Sequence, residues 1–576
     1  MLVVIVLIVY VNSWGNPFIL DDVTHIESPT DLDQWQNWTE VFTSPFFEFK
    51  EAGLAQYYRP LVKLTYKIER ILFGINPFGY HLVNTAFHCL NTLLLYLICR
   101  LLIGRAGPAF AAALIFGIHP LQTEEVTYIS GLGGLGGVTG ILASLYFFLR
   151  FMKNGRIIWY LASLCFFLIG LFYKEIAFIL PVMLVWLFIT GSPPRNRTGN
   201  RWTTDLLYII PYILCLGGYL YLRAFILVKT DFPAGMDEGA WIRFLTFGKG
   251  LWIYLGLSLF PIHLHFYRSL ALLSHCWHPL SLIGLCCCAV FLLRTVLRGA
   301  RISPLVSVGF GWFMIALLPF SGIVPILLET EYLYWAEHFM YLPLAGLGMV
   351  LAGLFSGWLS AVWNRQLPRI IAGACSILLV LSLGLLTIRQ NGFWSDELIF
   401  FERMADYEPD LFRTTGLLGV AYLKGGRPED ALRADINARK LLLSHSGAAS
   451  EEEMGLMDQY MLKVLVGRMT RSYLMLRQYD SALEMAREFQ VLDPESCEGK
   501  YLLGRAFAGN GNNEEALPFL LAAYSQRPDN FEITRSLIFC YQNLGEFERS
   551  QQIWSEASGR IPEFRKAKEI LKKRDK

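Results

Sequence analysis

Apolar residues dominate this chain from Met1 to about Ile388, whereas from about Asp396 onward Glu, Asp, Arg and Lys recur every few positions. Within the first part, apolar stretches run through residues 80–103, 107–120, 131–149, 157–173, 176–191, 205–228, 278–295, 303–320, 342–361 and 370–388. A helix needs about 20 apolar residues to cross a hydrocarbon layer about 30 Å thick. Together with the shorter run Met1–Val11, the pattern predicts about eleven membrane spans in a domain covering residues 1–390. The opening run lacks a charged leading region and a small-residue cleavage site, which favours a short span, or one whose start lies upstream, over a signal peptide. The stretch Leu251–Phe260 is predicted to be re-entrant or interfacial.

Residues 396–576 follow a different rule. Ala482, Ala516 and Ser550 recur every 34 residues, as do Pro494, Pro528 and Pro562, and Tyr473, Phe507 and Tyr541 keep the same phase. Several registers sharing this period mark helix–turn–helix tetratricopeptide repeats, in which small and large residues must alternate at fixed offsets for one helix to pack on the next. An earlier unit, Leu417 to Leu441 with Gly419, Tyr422 and Ala431, precedes a Ser- and Glu-rich insertion near 444–453. About four repeats result, with a basic capping tail from Arg565. The predicted fold is therefore all-α: a polytopic membrane helical bundle followed by an α-solenoid. Its groove is expected to take a protein or peptide partner; a rigid lid without a ligand is the structural alternative.

Composition agrees with burial in lipid, since 54% of the residues are hydrophobic and mean hydropathy is +0.40. The net charge of +2 gives no global field for nucleic acid, which is excluded as a partner. The 11 cysteines, including Cys286, Cys287 and Cys288 in an apolar run, lack zinc-ligand spacing and read as small hydrophobes. Basic residues gather in alternate connections: Arg100 and Arg105; Arg150, Lys153 and Arg156; Arg195, Arg197 and Arg201; Arg294, Arg298 and Arg301; Arg365 and Arg369. By the positive-inside rule these connections are cytoplasmic. The other side then receives the loop 15–79, the repeats, and the acidic positions Asp21, Asp22, Glu124, Glu125, Glu175, Glu329, Glu331 and Glu337. Asn37-Trp38-Thr39 is a glycosylation sequon on that side, and Asn196-Arg197-Thr198 would be cytoplasmic.

Three clusters look chemical. Phe18-Ile19-Leu20-Asp21-Asp22 places adjacent carboxylates at the end of the first span, where a partly buried acid beside a second negative charge makes a stronger base for an acceptor hydroxyl. Adjacent side chains diverge, so one aspartate is expected to serve while the other holds a turn. The second cluster is Tyr58-Arg59-Pro60-Leu61 with His81, Asn84 and His88, which share one helix face. Hydrogen bonds between helices would satisfy that stripe equally well, and a structural role is expected for His88. The third is His119-Pro120-Leu121-Gln122-Thr123-Glu124-Glu125 with Lys174-Glu175 and Glu337-His338. Arg59, Lys174 and His338 are cationic groups able to hold a phosphate and offset the charge on a leaving group.

In order, F-x-x-DD, YRPL, NPFGYHLVN, HPLQTEEVTYISG, YKE-x-A-x-x-LP, AEHFMYLP and FWSDELIF before the repeats, the chain resembles the transmembrane-and-tetratricopeptide-repeat O-mannosyltransferases and their bacterial relatives. These are GT-C glycosyltransferases. The resemblance covers nearly the whole length and implies a GT-C bundle. It also implies inverting transfer of a sugar, such as mannose, from a polyprenyl- or dolichyl-phosphate donor to protein Ser or Thr hydroxyls on the extracytoplasmic face. The host membrane would be the bacterial inner membrane or the endoplasmic reticulum, with the repeats in periplasm or lumen. The resemblance maps the base onto Asp21 and Asp22. Substrate or donor-phosphate contacts are expected from Arg59, His81, His119, Glu124, Lys174, Glu337 and His338. The lipid-linked sugar is a substrate, and no metal or other cofactor is required.

The chain departs from the family pattern twice. Where the family tends to read SGR-x-D, this chain has Ser130-Gly131-Leu132-Gly133-Gly134, and where it has AER, this chain has Ala336-Glu337-His338. A catalytically inactive scaffold that recruits partners through its repeats is therefore the alternative function. A transporter is disfavoured, since no inverted hydropathy repeat is visible and the charges gather at one face instead of the midplane.

Overall fold

The computed structural model describes residues 1–27, 38–49, 54–191, 206–226, 240–271, 273, 278–298, 303–321, 332–362, 366–446 and 454–566. Asn37 of the first sequon, the whole of the second sequon, Glu329, Glu331, Arg195, Arg197, Arg201, Arg301, Arg365 and most of the Ser- and Glu-rich insertion lie outside them. The chain divides into two compact units, Met1–Phe400 and Phe401–Lys576.

The first unit is built from α1 (Leu2–Tyr10), α2 (Pro60–Phe73), α3 (Pro77–Ile103), α4 (Ala106–Ile118), α5 (Thr123–Thr127), α6 (Leu132–Asn154), α7 (Ile157–Tyr173), α8 (Leu180–Ile189), α9 (Ile210–Ile226), α10 (Ala240–Leu259), α11 (Pro279–Arg298), α12 (Pro304–Leu317), α13 (Tyr341–Val362) and α14 (Gln366–Gly392). Among the described residues, five helical segments are long and apolar enough to cross a membrane: Pro77–Ile103, Ile129–Asn154, Pro279–Leu297, Glu337–Ala361 and Gln366–Gly392. Shorter apolar helices accompany them at Leu2–Ser13, Ala106–Ile118, Ile157–Tyr173, Glu175–Ile189, Ile210–Ile226 and Pro304–Phe320. The stretch Leu251–Phe260, expected to be re-entrant or interfacial, is the second half of the continuous 20-residue helix α10. Its run starts earlier because Ala240–Gly250 is also helical, although Arg243 and Lys249 dilute its hydropathy. Two short two-stranded antiparallel sheets complete the unit, Phe47–Phe49 with Leu54–Tyr57 and Ser269–Ala271 with Tyr332–Tyr334.

Local signals set the helix ends. Pro77 opens α3, the Asn76 side chain accepts the Phe78 N–H, and Gly104 closes the helix at φ 69°. α6 and α7 touch backbone to backbone, since a Cβ on Gly140 would lie 2.3 Å from Gly170 Cα. The bundle interior is closed by Val6, Phe116, Leu142, Phe148, Phe167 and Met349. One polar network crosses it: His88 contacts Gly117 O and the Tyr341 hydroxyl, Asn91 Nδ2 donates to the same hydroxyl, and Thr139 Oγ1 donates to Asn91 Oδ1. His88 is thus structural, as expected. Leu93, Ile158, Leu214, Phe225, Leu297, Leu354 and Leu378 point outward and exposed, as lipid-facing side chains do.

The second unit begins within α15 (Glu397–Tyr407) and continues as four helix pairs: α16 (Phe412–Lys424) with α17 (Pro428–Ser446), α18 (Leu456–Met475) with α19 (Tyr479–Leu492), α20 (Cys497–Gly509) with α21 (Asn513–Gln526), and α22 (Phe531–Asn543) with α23 (Phe547–Arg560). Ala431, Ala482, Ala516 and Ser550 each occupy the fourth position of the second helix and are buried. The turns inside the last three pairs place Arg477, Gly511 and Gly545 in the left-handed region, at φ 59°, 84° and 78°. Arg468 donates two hydrogen bonds to the buried Asp435, at 2.5 and 3.3 Å, joining the first pair to the second. Gly419 makes room for them, because a Cβ there would lie 2.3 Å from Asp435 Oδ1.

Candidate active site

The ends of α1, α4, α7 and α14 and the starts of α6 and α13 share one end of the membrane bundle, and most of the expected site residues lie there. The chain leaving α1 is fixed by asparagines. Asn391 Nδ2 donates to Val9 O and Asn12 Oδ1, Asn16 Nδ2 donates to Asn391 O, and Thr127 Oγ1 donates to Asn391 Oδ1. Leu20 then adopts φ 58°, a left-handed conformation costing a β-carbon residue roughly 1–2 kcal/mol. Such strain persists only where the surroundings over-determine it, and here they do.

Asp22 is buried at 2% exposure. Its Oδ1 accepts Ser130 N–H at 2.8 Å and Ser130 O–H at 2.5 Å, and its Oδ2 accepts Ile19 N–H at 3.3 Å. Burial pushes its carboxyl up to about 7, against the hydrogen bonds that favour the charged form. Asp21 beside it is exposed, its backbone N–H donating to the Tyr128 hydroxyl at 3.2 Å. The two aspartates thus divide the roles: Asp22 holds the turn, and Asp21 remains accessible.

Around this turn the charged groups form pairs. Arg59 Nε and Nη2 donate to Glu175 Oε2 at 3.1 and 2.9 Å, and the guanidinium lies 4.2 Å from the centre of the Tyr57 ring. Lys174 Nζ lies 3.8 Å from Glu125 Oε1. Glu124 pairs with His338 through Nδ1 and accepts the His338 backbone N–H at 3.1 Å, and burial pushes the Glu124 carboxyl up to about 8. Glu337 accepts the His265 N–H at 2.6 Å and lies 3.9 Å from Arg268 Nη2. Lys174 and His338 each keep about a fifth of their side chain exposed, whereas Glu124, Glu125 and Glu337 are buried beneath them.

His81 and His119 stand apart from this set. His81 Nε2 lies 3.1 Å from Asn16 O, beneath the aspartate loop, and His119 spans Ser258 O and Leu121 N–H. Both are buried, and burial lowers His119 to about 4. Their contacts position backbone. Among the described residues no group of three His, Cys, Asp or Glu side chains is arranged to hold a metal ion. Sequence reasoning missed Ser130, Tyr128, Arg268 and Asn391. Each is an ordinary residue type whose partner lies far along the chain, 108 residues away for Ser130 and Asp22.

The fold defines an all-α, multi-pass membrane protein that carries tetratricopeptide repeats. Comparison with known proteins agrees. The family model for "Dolichyl-phosphate-mannose-protein mannosyltransferase" matches residues 59–216, and that for "Tetratricopeptide repeat" matches 469–531. The human protein O-mannosyl-transferase TMTC1 is 36% identical over 26% of this chain and 16% of its own length. Tmtc2 of Drosophila melanogaster is 26% identical over 42% of this chain and 27% of its own, and mouse TMTC3 is 30% identical over 27% and 16%. The chain therefore matches a TMTC-like GT-C family, and the matched stretches span less than a third of each of these relatives. A solved structure entitled "MamA RS-1 ArsTM double mutant" overlays with a TM-score of 0.23 and 19% identity, over 30% of this chain and 84% of that one.

Proposed function

We propose that this chain transfers a sugar, mannose by similarity to the named relatives, from a polyprenyl- or dolichyl-phosphate donor to Ser or Thr hydroxyls of a protein acceptor. The observation that carries this reading is the accessible Asp21, held on a strained turn at the bundle end that also presents Lys174, His338 and the Arg59–Glu175 pair. Asp21 takes the acceptor's hydroxyl proton while that oxygen attacks the anomeric carbon. The bond from that carbon to the phosphate oxygen breaks, its electron pair leaves with the phosphate, and configuration inverts. Lys174 offsets the negative charge gathering on the leaving group, and His338 stands beside it, held by Glu124. Glu124 and Glu337 set the His338 segment, and His81 and His119 fix the loops beneath.

The positive-inside rule sets the topology. Arg100 and Arg105, Arg150 to Arg156, Arg294 and Arg298, and Arg369 lie at helix ends opposite the aspartate turn, so the site faces away from the cytoplasm, in a periplasm or lumen. The repeats follow α14 on that same side and hold the acceptor. One observation favours the inactive-scaffold reading: Leu132, at the arginine position of the family pattern, is fully buried among apolar residues.

The test is label transfer from a panel of polyprenyl- and dolichyl-phosphate sugars, using membranes that contain the wild-type chain or its variants. Asp21→Asn is expected to cut transfer by about 100- to 10,000-fold, the range for loss of a general base. Transfer that survives Asp21→Asn removes the assigned base. A wild-type chain that is folded yet inactive with every donor leaves the scaffold.

A further inference from the structure

The geometry points to Glu125 as a positioning residue for Lys174, its carboxylate seated on the bare α-carbon of Gly134, so that the pair forms one phosphate-holding element; this rests on the glycosyl-transfer reading above. A Cβ built on Gly134 would lie 1.4 Å from Glu125 Oε1 and 3.2 Å from Lys174 Nζ. One built on Gly137, a helical turn further on, would lie 3.1 Å from Lys174 Cβ. The lysine stem therefore runs along the first turns of α6, and the glutamate fills the space a side chain at 134 would take.

Electrostatics explains why the carboxylate is needed there. Lys174 reaches the N-terminal turn of α6, where the helix dipole presents its positive end and repels an ammonium group. Glu125, at 2% exposure, is placed where that same dipole favours an anion, and it anchors Lys174 from below. The lysine is thereby held with its outer side open to a ligand. Without the carboxylate, a flexible four-carbon stem over a positive helix end swings away.

Because the contact depends on where the carboxylate sits and not on which residue supplies it, the charge can be moved. The Cβ of an aspartate at 134 would start 3.2 Å from Lys174 Nζ, so Glu125→Ala combined with Gly134→Asp rebuilds the pair from the opposite side. The experiment titrates the purified full chain in lipid nanodiscs with polyprenyl phosphate, alongside sugar-transfer kinetics and melting curves. Glu125→Gln, which keeps shape and loses charge, is expected to weaken polyprenyl phosphate binding about tenfold, the order seen when a ligand's support is removed. It should raise the donor KM similarly, with kcat changed less than about threefold. The double variant is expected to return both to within about threefold of wild type, which a merely structural role for Glu125 would not produce.

Unchanged or tighter polyprenyl phosphate binding in Glu125→Gln, as when the carboxylate only competes with phosphate for the lysine, overturns the inference. So does a folded double variant that binds no better than Glu125→Ala. A wild-type chain that binds polyprenyl phosphate but transfers nothing removes the transferase reading and leaves the binding arms decisive. A folded wild-type chain that binds no polyprenyl phosphate overturns both.

Discussion

Asp21 and Asp22 are neighbours with opposite environments, and pH separates them. Burial raises Asp22 to about 7 in the folded chain, so the folded state binds its proton more tightly than the unfolded state, whose carboxyl titrates near 3.8. The stability this confers is complete below about pH 4 and is lost as pH rises through 7. The melting temperature of the wild-type chain in detergent is expected to fall between pH 5 and pH 8, with a flatter slope in Asp22→Asn. Equal slopes in both would show that the buried carboxyl does not titrate as placed. Glu124, raised to about 8, adds a contribution of the same sign. The aspartate pair was legible in the sequence because two adjacent acids at the edge of an apolar run have few bland explanations. Its division of labour was not legible, since Asp22 is held by Ser130, which neither spacing nor periodicity connects to it. His81 and His119 contact backbone carbonyls, and a histidine so placed looks the same in sequence as one facing a substrate.

At the level of helices and turns, periodicity carried most of the fold. Every apolar stretch read from the first 390 residues contains a helix, because lipid exposure demands long apolar runs that few other constraints blur. The helix Ala240–Leu259 was half missed because Arg243 and Lys249 interrupt that signal. In the repeats the 34-residue spacing located the packing positions, whereas the first unit, with 51 residues between Ala431 and Ala482, is out of that register and was read from its own Gly419, Tyr422 and Ala431. Arg477 stands where the next two repeats use glycine, at φ 59°. Arg477→Gly is expected to stabilise the repeat unit by about 1 kcal/mol, relief of left-handed strain outweighing the added freedom of the unfolded chain. A higher urea midpoint for this unit in the solubilised chain would bear that out, and a lower one would refute it. Asp435 and Arg468 work in the opposite direction. Asp435→Ala leaves a guanidinium at 14% exposure without its partner, and a loss of about 3 kcal/mol or more is expected in the same titration. A loss under about 1 kcal/mol would mean that water replaces the carboxylate.

For the whole chain, the testable property is sidedness. The aspartate turn and the basic connections occupy opposite helix ends, so cysteines placed at Thr24 and Lys153, both exposed, should react with an impermeant reagent from opposite sides of sealed vesicles. A cysteine at Glu495 should react from the Thr24 side. Labelling of Thr24→Cys and Lys153→Cys from one side would discard the topology. The knot at Asn391 has a temporal meaning as well. Asn391 and Val9, bonded to one another, are 382 residues apart in sequence. A growing chain therefore carries its aspartates through nearly the whole of membrane insertion before the last helix arrives to clamp them. Until then the aspartate turn lacks the contacts that fix it, so its geometry is completed only once residues 366–392 are in place.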